Sequence, residues 1–215
     1  MRYLLPAVAA AVALAAGTTA AAADSQPQHQ RPARVASHVT LHLSKHSVLQ
    51  GDGIAIHGKV RPSGRHRVKV LVEGTHPTVI HTMTRRNGSF ALRWRPARIG
   101  DYSVRAYGVH DRHVRGSFSP GRQLTAYHLA GASYYGPGLY GNGVACGGTL
   151  MPNTMGVANK TLPCGTKVTL RYHGRTVTVP VIDRGPYVAG REYDLTEAVK
   201  DRLGFPGVGD VMADR

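Results

Sequence analysis

Apolar residues in this chain repeat with a period of two along most of its length, and that restricts its fold more than any other feature. Val39, Leu41 and Leu43 alternate with polar neighbours. Ile54 and Ile56 do the same after a Gly-Asp-Gly turn, as do Val68, Val70 and Val72, then Phe90, Leu92 and Trp94, then Tyr102, Val104 and Ala106. Successive side chains of a strand point to opposite faces, so each run offers one face to a core and one to water. Strand-sized runs separated by turns predict a β-sandwich over residues 37–118. Asn87-Gly88 predicts a hairpin turn ahead of the Phe90 run. Trp94 is expected in the core. His38 and His42 share a face with Thr40, the wet one, where they read as modulators of surface charge rather than metal ligands.

Residues 119–130, with Pro120-Gly121, read as a linker between two domains. Beyond it, Lys167–Leu170 and Thr176–Ile182 are again β-rich and are joined at His173-Gly174. Pro180 cannot donate to a sheet ladder, so it predicts a bulge or an edge position. One helix stands out, at Thr196–Leu203. Leu195, Val199 and Leu203 form its apolar stripe, Asp194 stands three residues before Glu197 in a capping-box spacing, and Gly204 and Pro206 end it. The expected class is all-β with one or two short helices.

Charge divides the chain unevenly. Up to residue 128 there are 18 Lys and Arg against 5 Asp and Glu, a balance of +13 that includes Arg2 of the expected leader; from 129 to 215 there are 9 against 7, a balance of +2. Eleven of the twelve histidines also precede residue 129. A strongly basic first part predicts affinity for polyanions there and not in the second part. Residues 1–23 read as a secretory signal peptide. Arg2 is its basic end, Leu4–Ala16 its uncharged apolar stretch, and Ala21-Ala22-Ala23 its cleavage site. That stretch is too short for a comfortable membrane span, and no other long apolar run follows. Residues 24–36, rich in Gln, Pro, Arg and Ala, read as a flexible linker. The expectation is a monomeric protein, secreted or associated with the cell wall, without a transmembrane segment or a specific nucleic-acid partner. For an exported protein, the anionic polymers of a wall are the natural polyanion.

The two cysteines, Cys146 and Cys164, both fall in the second part. In an oxidising compartment they are expected to form one disulfide. Two thiols without a further Cys or His pair do not make a zinc motif, so no metal or other cofactor is expected.

The candidate chemistry centres on Val181-Ile182-Asp183-Arg184-Gly185-Pro186-Tyr187. It sets an aspartate where an apolar strand ends and a Gly-Pro turn begins. A carboxylate there is held by the strand and opens onto a loop, as a catalytic or ligand-gripping acid requires; an Asp capping its own turn would look the same. Three further segments accompany it: Ala132-Ser133-Tyr134-Tyr135-Gly136, Thr161-Leu162-Pro163-Cys164-Gly165-Thr166 and Tyr193-Asp194-Leu195-Thr196. Together, over about 131–215, these resemble the rare lipoprotein A family, whose core is a six-stranded double-psi β-barrel and whose members include lytic transglycosylases. Similar barrels occur in expansins and barwin-like proteins, which bind polysaccharide. The first part is similar to bacterial immunoglobulin-like modules, notably at Gly58-Lys59-Val60 and Gly100-Asp101-Tyr102-Ser103-Val104.

The resemblance implies peptidoglycan glycan strands as the partner, with Asp183 as the catalytic acid and base. Tyr134, Tyr135, Asn159, Arg184, Tyr187 and Asp194 would bind substrate, since flat rings with polar tips suit sugar faces. It also exposes departures. Active relatives place a Glu where Val144-Ala145-Cys146-Gly147-Gly148 has Gly148, and a His where Ala158-Asn159-Lys160 has Asn159. Neither replacement can carry a proton in catalysis. Glu192 and Asp194 are the available substitutes, with Asp194 better explained as a helix cap. The lipid-anchored members carry a cysteine near the leader cleavage site, which is missing here, so no lipid anchor is expected. The residues therefore leave open a lytic transglycosylase, an expansin-like wall-loosening protein without turnover, and a barwin-like secreted proteinase inhibitor.

Overall fold

The computed structural model describes residues 34–111 and 114–215. The expected signal peptide and most of the 24–36 linker lie outside the described residues. In chain order the strands of the first part are β1 (Val35–Ala36), β2 (His38–Leu43), β3 (Ser47–Leu49), β4 (Ile54–Arg61), β5 (Arg67–Gly74), β6 (Thr78–Met83), β7 (Ser89–Trp94), β8 (Gly100–Gly108), β9 (Val114–Arg115) and β10 (Ser117–Phe118). Then come β11 (Arg122–Tyr135), β12 (Val157–Asn159), β13 (Lys167–Tyr172), β14 (Arg175–Asp183), β15 (Tyr193–Thr196), the helix α1 (Glu197–Leu203) and β16 (Gly209–Ala213).

The period-two runs become the walls of one core. Strands β2, β4 and β7 form one antiparallel sheet. Strands β6, β5, β8 and the start of β11 form a second, with β3 beside β11. Val39, Leu41, Ile54, Ile56 and Phe90 from the first sheet meet Val68, Val70, Val72, Val104 and Leu124 from the second, all buried. Trp94 packs partly buried against this core, its ring edge-on to Tyr102 at 5.2 Å. His38 and His42 are exposed, as their alternation requires. The Asn87-Gly88 turn exists, with Gly88 N–H donating to Arg85 O, but it closes no hairpin between neighbours. It carries the chain from β6 in one sheet to β7 in the other, because β6 pairs with β5 and β7 with β4.

The segment expected as an interdomain linker is mostly strand. β11 runs unbroken for 14 residues. Its first part pairs with β8 from Arg122↔Val104 to Ala126↔Gly100, and with β3 from Thr125↔Ser47 to Tyr127↔Leu49. From His128 onward it changes partners, pairing antiparallel with β16 and, from Ala132, parallel with β15. Leu124 and Ala126 point into the first core, Ala130 and Ala132 into a second. Three of these four inward residues are alanines, which is why the period-two signal is faint.

That second core fills a closed barrel of six strands in the order β11, β16, β13, β14, β12, β15 and back to β11. With the two packed sheets it makes the chain all-β, with α1 as the one helix among the described residues. Val157, Val168, Leu170, Val181, Tyr193, Leu195 and Val211 are its buried lining. His173-Gly174 turns β13 into β14 with both residues at positive φ. Pro180 sits opposite Lys167 of β13, just before β14 gains β12 as its second neighbour at Val181, and the β12–β14 register slips by one residue there. The helix starts one residue later than expected. Its N-cap is Thr196, without a side-chain cap, and Gly204 closes it in the left-handed conformation. Asp194 is therefore no helix cap; it belongs to β15 and accepts a hydrogen bond from Ser133 Oγ. Gly131 marks a close crossing: a Cβ there would lie 2.1 Å from Gly190 O.

Candidate active site

Asp183 ends β14, and the chain leaves it through a cis Gly185-Pro186 bond. One carboxylate oxygen, Oδ1, accepts two backbone N–H groups, from Ala145 at 2.9 Å and from Arg184 at 2.8 Å. The other oxygen has no hydrogen-bond partner among the described residues. So the carboxylate is fixed through one oxygen and offers the second. Ala145 reaches it because the 144–148 loop is sewn to the end of β14: Cys146 N–H donates to Ile182 O at 3.0 Å. The same strand end is held from its other side by Gly165 N–H to Val181 O at 2.8 Å. The Cys146–Cys164 disulfide, present as expected, ties these two loops together across it.

Two adjoining hollows of about 200 Å³ each meet at Asp183. Tyr135, Leu139, Ala158, Arg184 and Asp194 line one with it. Tyr135, Leu139, Asn142, Gly143, Val144 and Leu150 line the other. Tyr135 belongs to both. Its hydroxyl is buried and has no hydrogen-bond partner among the described residues. Burial first, then the charges of Asp183 and Asp194, push its phenol well above the ordinary tyrosine range. A buried hydroxyl left unpaired costs about 1–3 kcal/mol, a cost that a ligand hydroxyl would offset. Asp194 stands opposite Ala158 in the β12–β15 ladder and is held by Ser133 Oγ.

The structure thus brings together four of the expected residues: Asp183, Tyr135, Arg184 and Asp194. Arg184 lines the hollow, but its guanidinium is tied back, donating to Asn159 O at 3.2 Å and to Cys164 Sγ at 3.2 Å. Asn159 is elsewhere. It is only 3% exposed, its amide N–H donates to Glu192 O at 3.2 Å, and its side-chain oxygen accepts from Thr161 and Leu162 N–H at 3.0 and 2.8 Å. These bonds brace the 159–162 turn through the side-chain oxygen and tie one of the two amide N–H donors to Glu192 O, away from the hollows at Asp183. Tyr134 falls on the opposite face of β11, its ring under Lys200 Nζ at 4.8 Å. Tyr187 is 80% exposed on the turn and lines neither hollow.

The departures from the family pattern now have a geometry. Gly148 has φ +93°, a conformation that L side chains rarely adopt, and no atom lies within 4 Å of where its Cβ would be. Glu192 does not replace the lost acid beside Asp183. Its carboxylate pairs with His128 Nε2 at 2.9 Å and lines a separate, larger hollow of about 540 Å³ with Asn159, Lys160, Arg191 and Arg215. Sequence reasoning missed Leu139, Asn142 and Leu150 as walls of the site. Their one visible signal was position, Leu139 and Asn142 between the Tyr134-Tyr135 segment and Cys146 and Leu150 just beyond it.

The pattern of the family described as lytic transglycolase matches residues 131–213, which span five of the six barrel strands whole and the end of the sixth. Residues 131–213 are a rare-lipoprotein-A-like double-psi β-barrel. The RlpA-like segment is 41% identical over 87 residues to a probable endolytic peptidoglycan transglycosylase RlpA of Synechocystis, covering 39% of this chain and 27% of that protein. It is 43% identical over 74 residues to the endolytic peptidoglycan transglycosylase RlpA of Campylobacter jejuni, covering 34% and 27%. The corresponding protein of Yersinia pestis is 41% identical over 85 residues, covering 39% and 24%. The chain spans about a quarter of the length of these RlpA relatives. Among the described residues no helix is long and apolar enough to cross a membrane.

Proposed function

We propose that the barrel binds peptidoglycan glycan strands and cleaves them as a lytic transglycosylase, with Asp183 as the acid and then the base. The observation that carries this reading is the carboxylate anchored through Oδ1 by two backbone amides, with its other oxygen free at a hollow shared with Asp194 and the unpaired Tyr135 hydroxyl. In the first step Asp183, protonated, gives its proton to the glycosidic oxygen as the C1–O bond breaks. In the second, the resulting carboxylate takes the proton of the sugar's own 6-hydroxyl as that oxygen closes on C1. The ring closure needs no water, and the site returns to its starting state. Asp194 lies close enough to add to the charge around Tyr135 and favours a cationic sugar transition state. Tyr135 orients a sugar hydroxyl.

A second reading has its own observation. Gly148 and Asn159 stand where active relatives have Glu and His, and the Asn159 side chain braces backbone. Glycoside cleavage ordinarily uses two carboxyl groups in complementary roles. On this reading the barrel grips glycan and loosens the wall as expansins do. In either case the protein works outside the cell, and the basic first part, read as an immunoglobulin-like module, retains it on anionic wall polymers.

Purified sacculi incubated with the protein separate the two. Release of anhydro-muropeptides that falls by at least about 100-fold in Asp183→Asn establishes the transglycosylase. Binding without release, unchanged in that variant, establishes the expansin-like reading. Absence of both overturns the glycan assignment.

A further inference from the structure

One face of one sheet carries basic residues and histidines with no acid on its strands. Strands β2, β4 and β7 read HVTLHL, IAIHGKVR and SFALRW, and none contains an aspartate or glutamate. Their inward residues fill the first core. Registers place the outward ones side by side: His38 opposite Arg61, Thr40 opposite Lys59, His42 opposite His57, then His57 opposite Ala91, Lys59 opposite Ser89 and Ala55 opposite Arg93. One continuous surface therefore carries Lys59, Arg61 and Arg93 with His38, His42 and His57. The His42 and His57 rings stack at 5.5 Å. The loops at its margins add Arg65, Arg85, Arg86 and Arg95, with Asp52 in one of them and Asp111 against His66 beside another. The outer face of the other sheet differs: there Glu73 pairs with Arg105 and Asp101 accepts from Thr125.

We infer that the outward face of β2, β4 and β7 is the docking surface for a linear polyol-phosphate polymer, and that its three histidines tighten the grip as pH falls. This rests on reading the first part as a polyanion-binding module and assigns that role to named residues. Three arguments support the occupant. First, the face offers three fixed cations and no carboxylate to repel an anion. Second, residues on one face of a strand repeat about every 7 Å and adjacent strands lie about 4.8 Å apart, so the cations form a flat lattice suited to a chain with a charge at every repeat. Third, the face holds no Tyr, Trp or Phe, the large rings that serve as stacking platforms for successive bases, which favours a polymer without bases over a single-stranded nucleic acid.

The pH response follows from the neighbours. His42 and His57 face each other, Thr40 and Lys59; His38 faces Arg61 and Thr40; no outward group on β7 is acidic. Histidines in general charge between pH 8 and 5. Each proton taken up here adds to like charge, and a bound polyphosphate relieves that repulsion. Polymer binding and histidine protonation therefore reinforce each other.

The test uses the full chain and immobilised poly(glycerol phosphate), with affinity measured against salt at about pH 7.5 and about pH 5.5. Each phosphate contact contributes roughly 0.7 to the log–log salt slope on a flexible polyanion, so charging three histidines steepens the slope by about 2. At the lower pH, raising salt from about 50 to about 200 mM then costs about 20-fold more affinity than at the higher pH. The triple variant His38→Gln/His42→Gln/His57→Gln loses that difference and keeps binding at the higher pH. Lys59→Gln/Arg61→Gln/Arg93→Gln weakens binding at both, and Arg67→Gln/Lys69→Gln on the other sheet leaves the pH difference intact. Thermal unfolding checks that each variant is folded. Wild-type binding that is unmoved by both face variants overturns the assignment of this surface while the module keeps its polyanion role. No wild-type binding overturns the module reading itself. Equal or tighter binding of a single-stranded oligonucleotide of matched charge overturns the choice of polymer.

Discussion

Breaking the Cys146–Cys164 disulfide tests how the halves of this molecule hold together. The bridge closes a loop of 18 residues. On the chain-entropy account, closing such a loop removes about 11 cal/mol/K from the unfolded state, or about 3 kcal/mol at 25 °C. The change in melting temperature depends on how much of the chain unfolds with the barrel. Unfolding entropy is about 2.1 cal/mol/K per residue. If the roughly 180 residues from Ala33 to Arg215 melt as one unit, the entropy is about 380 cal/mol/K and the double variant Cys146→Ser/Cys164→Ser melts about 8 °C lower. If the barrel melts alone, with roughly 85 residues, the drop is about 18 °C. The shared strand β11 makes the first outcome the expected one. Calorimetry of the oxidised protein and the double variant, with thiol labelling to confirm the starting state, reads this directly. A drop under about 3 °C would refute the loop-closure argument. A drop near 18 °C with a second, separate transition would refute the coupling through β11.

Three further outcomes follow from the same geometry. Tyr135→Phe removes a buried, unpaired hydroxyl, so the fold should be unchanged or up to about 1 kcal/mol more stable while glycan affinity falls severalfold; unchanged affinity would remove Tyr135 from the site. Gly131→Ala forces a Cβ to within 2.1 Å of Gly190 O, a backbone atom, and should destabilise by more than about 2 kcal/mol in urea unfolding; a neutral result would show that the 188–192 turn gives way. Tyr140 donates to Glu197, and this hydrogen bond, first among the causes, raises its phenol from 10.0 to about 12. A raised folded-state value means stability present below pH 10 and lost as pH rises toward 12, so Tyr140→Phe should flatten that alkaline fall; an identical pH profile would contradict it.

The period-two runs were legible because their inward residues are large: Val, Ile, Leu and Phe at alternate positions leave one reading. The same argument failed at 122–135, where alanines fill the inward positions and Pro120-Gly121 supplies a loop signal. Asp183 was legible as a strand-end acid with a rigid turn after it. The role of Asn159 was not, because a short amide serves a sugar or a backbone turn equally well, and only the three-dimensional turn at Thr161 and Leu162 decides. Asp194 was misread for a related reason. Its spacing to Glu197 matches a capping box, but the parallel ladder with β11 puts it opposite Ser133, two residues before the actual N-cap, Thr196. Contacts that depend on strand neighbours distant in sequence leave no local trace.

The continuous β11 also has a mechanical consequence. A coiled linker stores slack and lengthens under load before anything it joins is disturbed. A strand already extended at about 3.4 Å per residue has almost no slack to give. Tension between a glycan held at the barrel and a polymer held at the first sheets would pass straight into the hydrogen-bond ladders on either side of residues 127 and 128, loading them in shear. The molecule would behave as a stiff strut of fixed reach, and the first failure under force would be a ladder letting go, not a tether paying out.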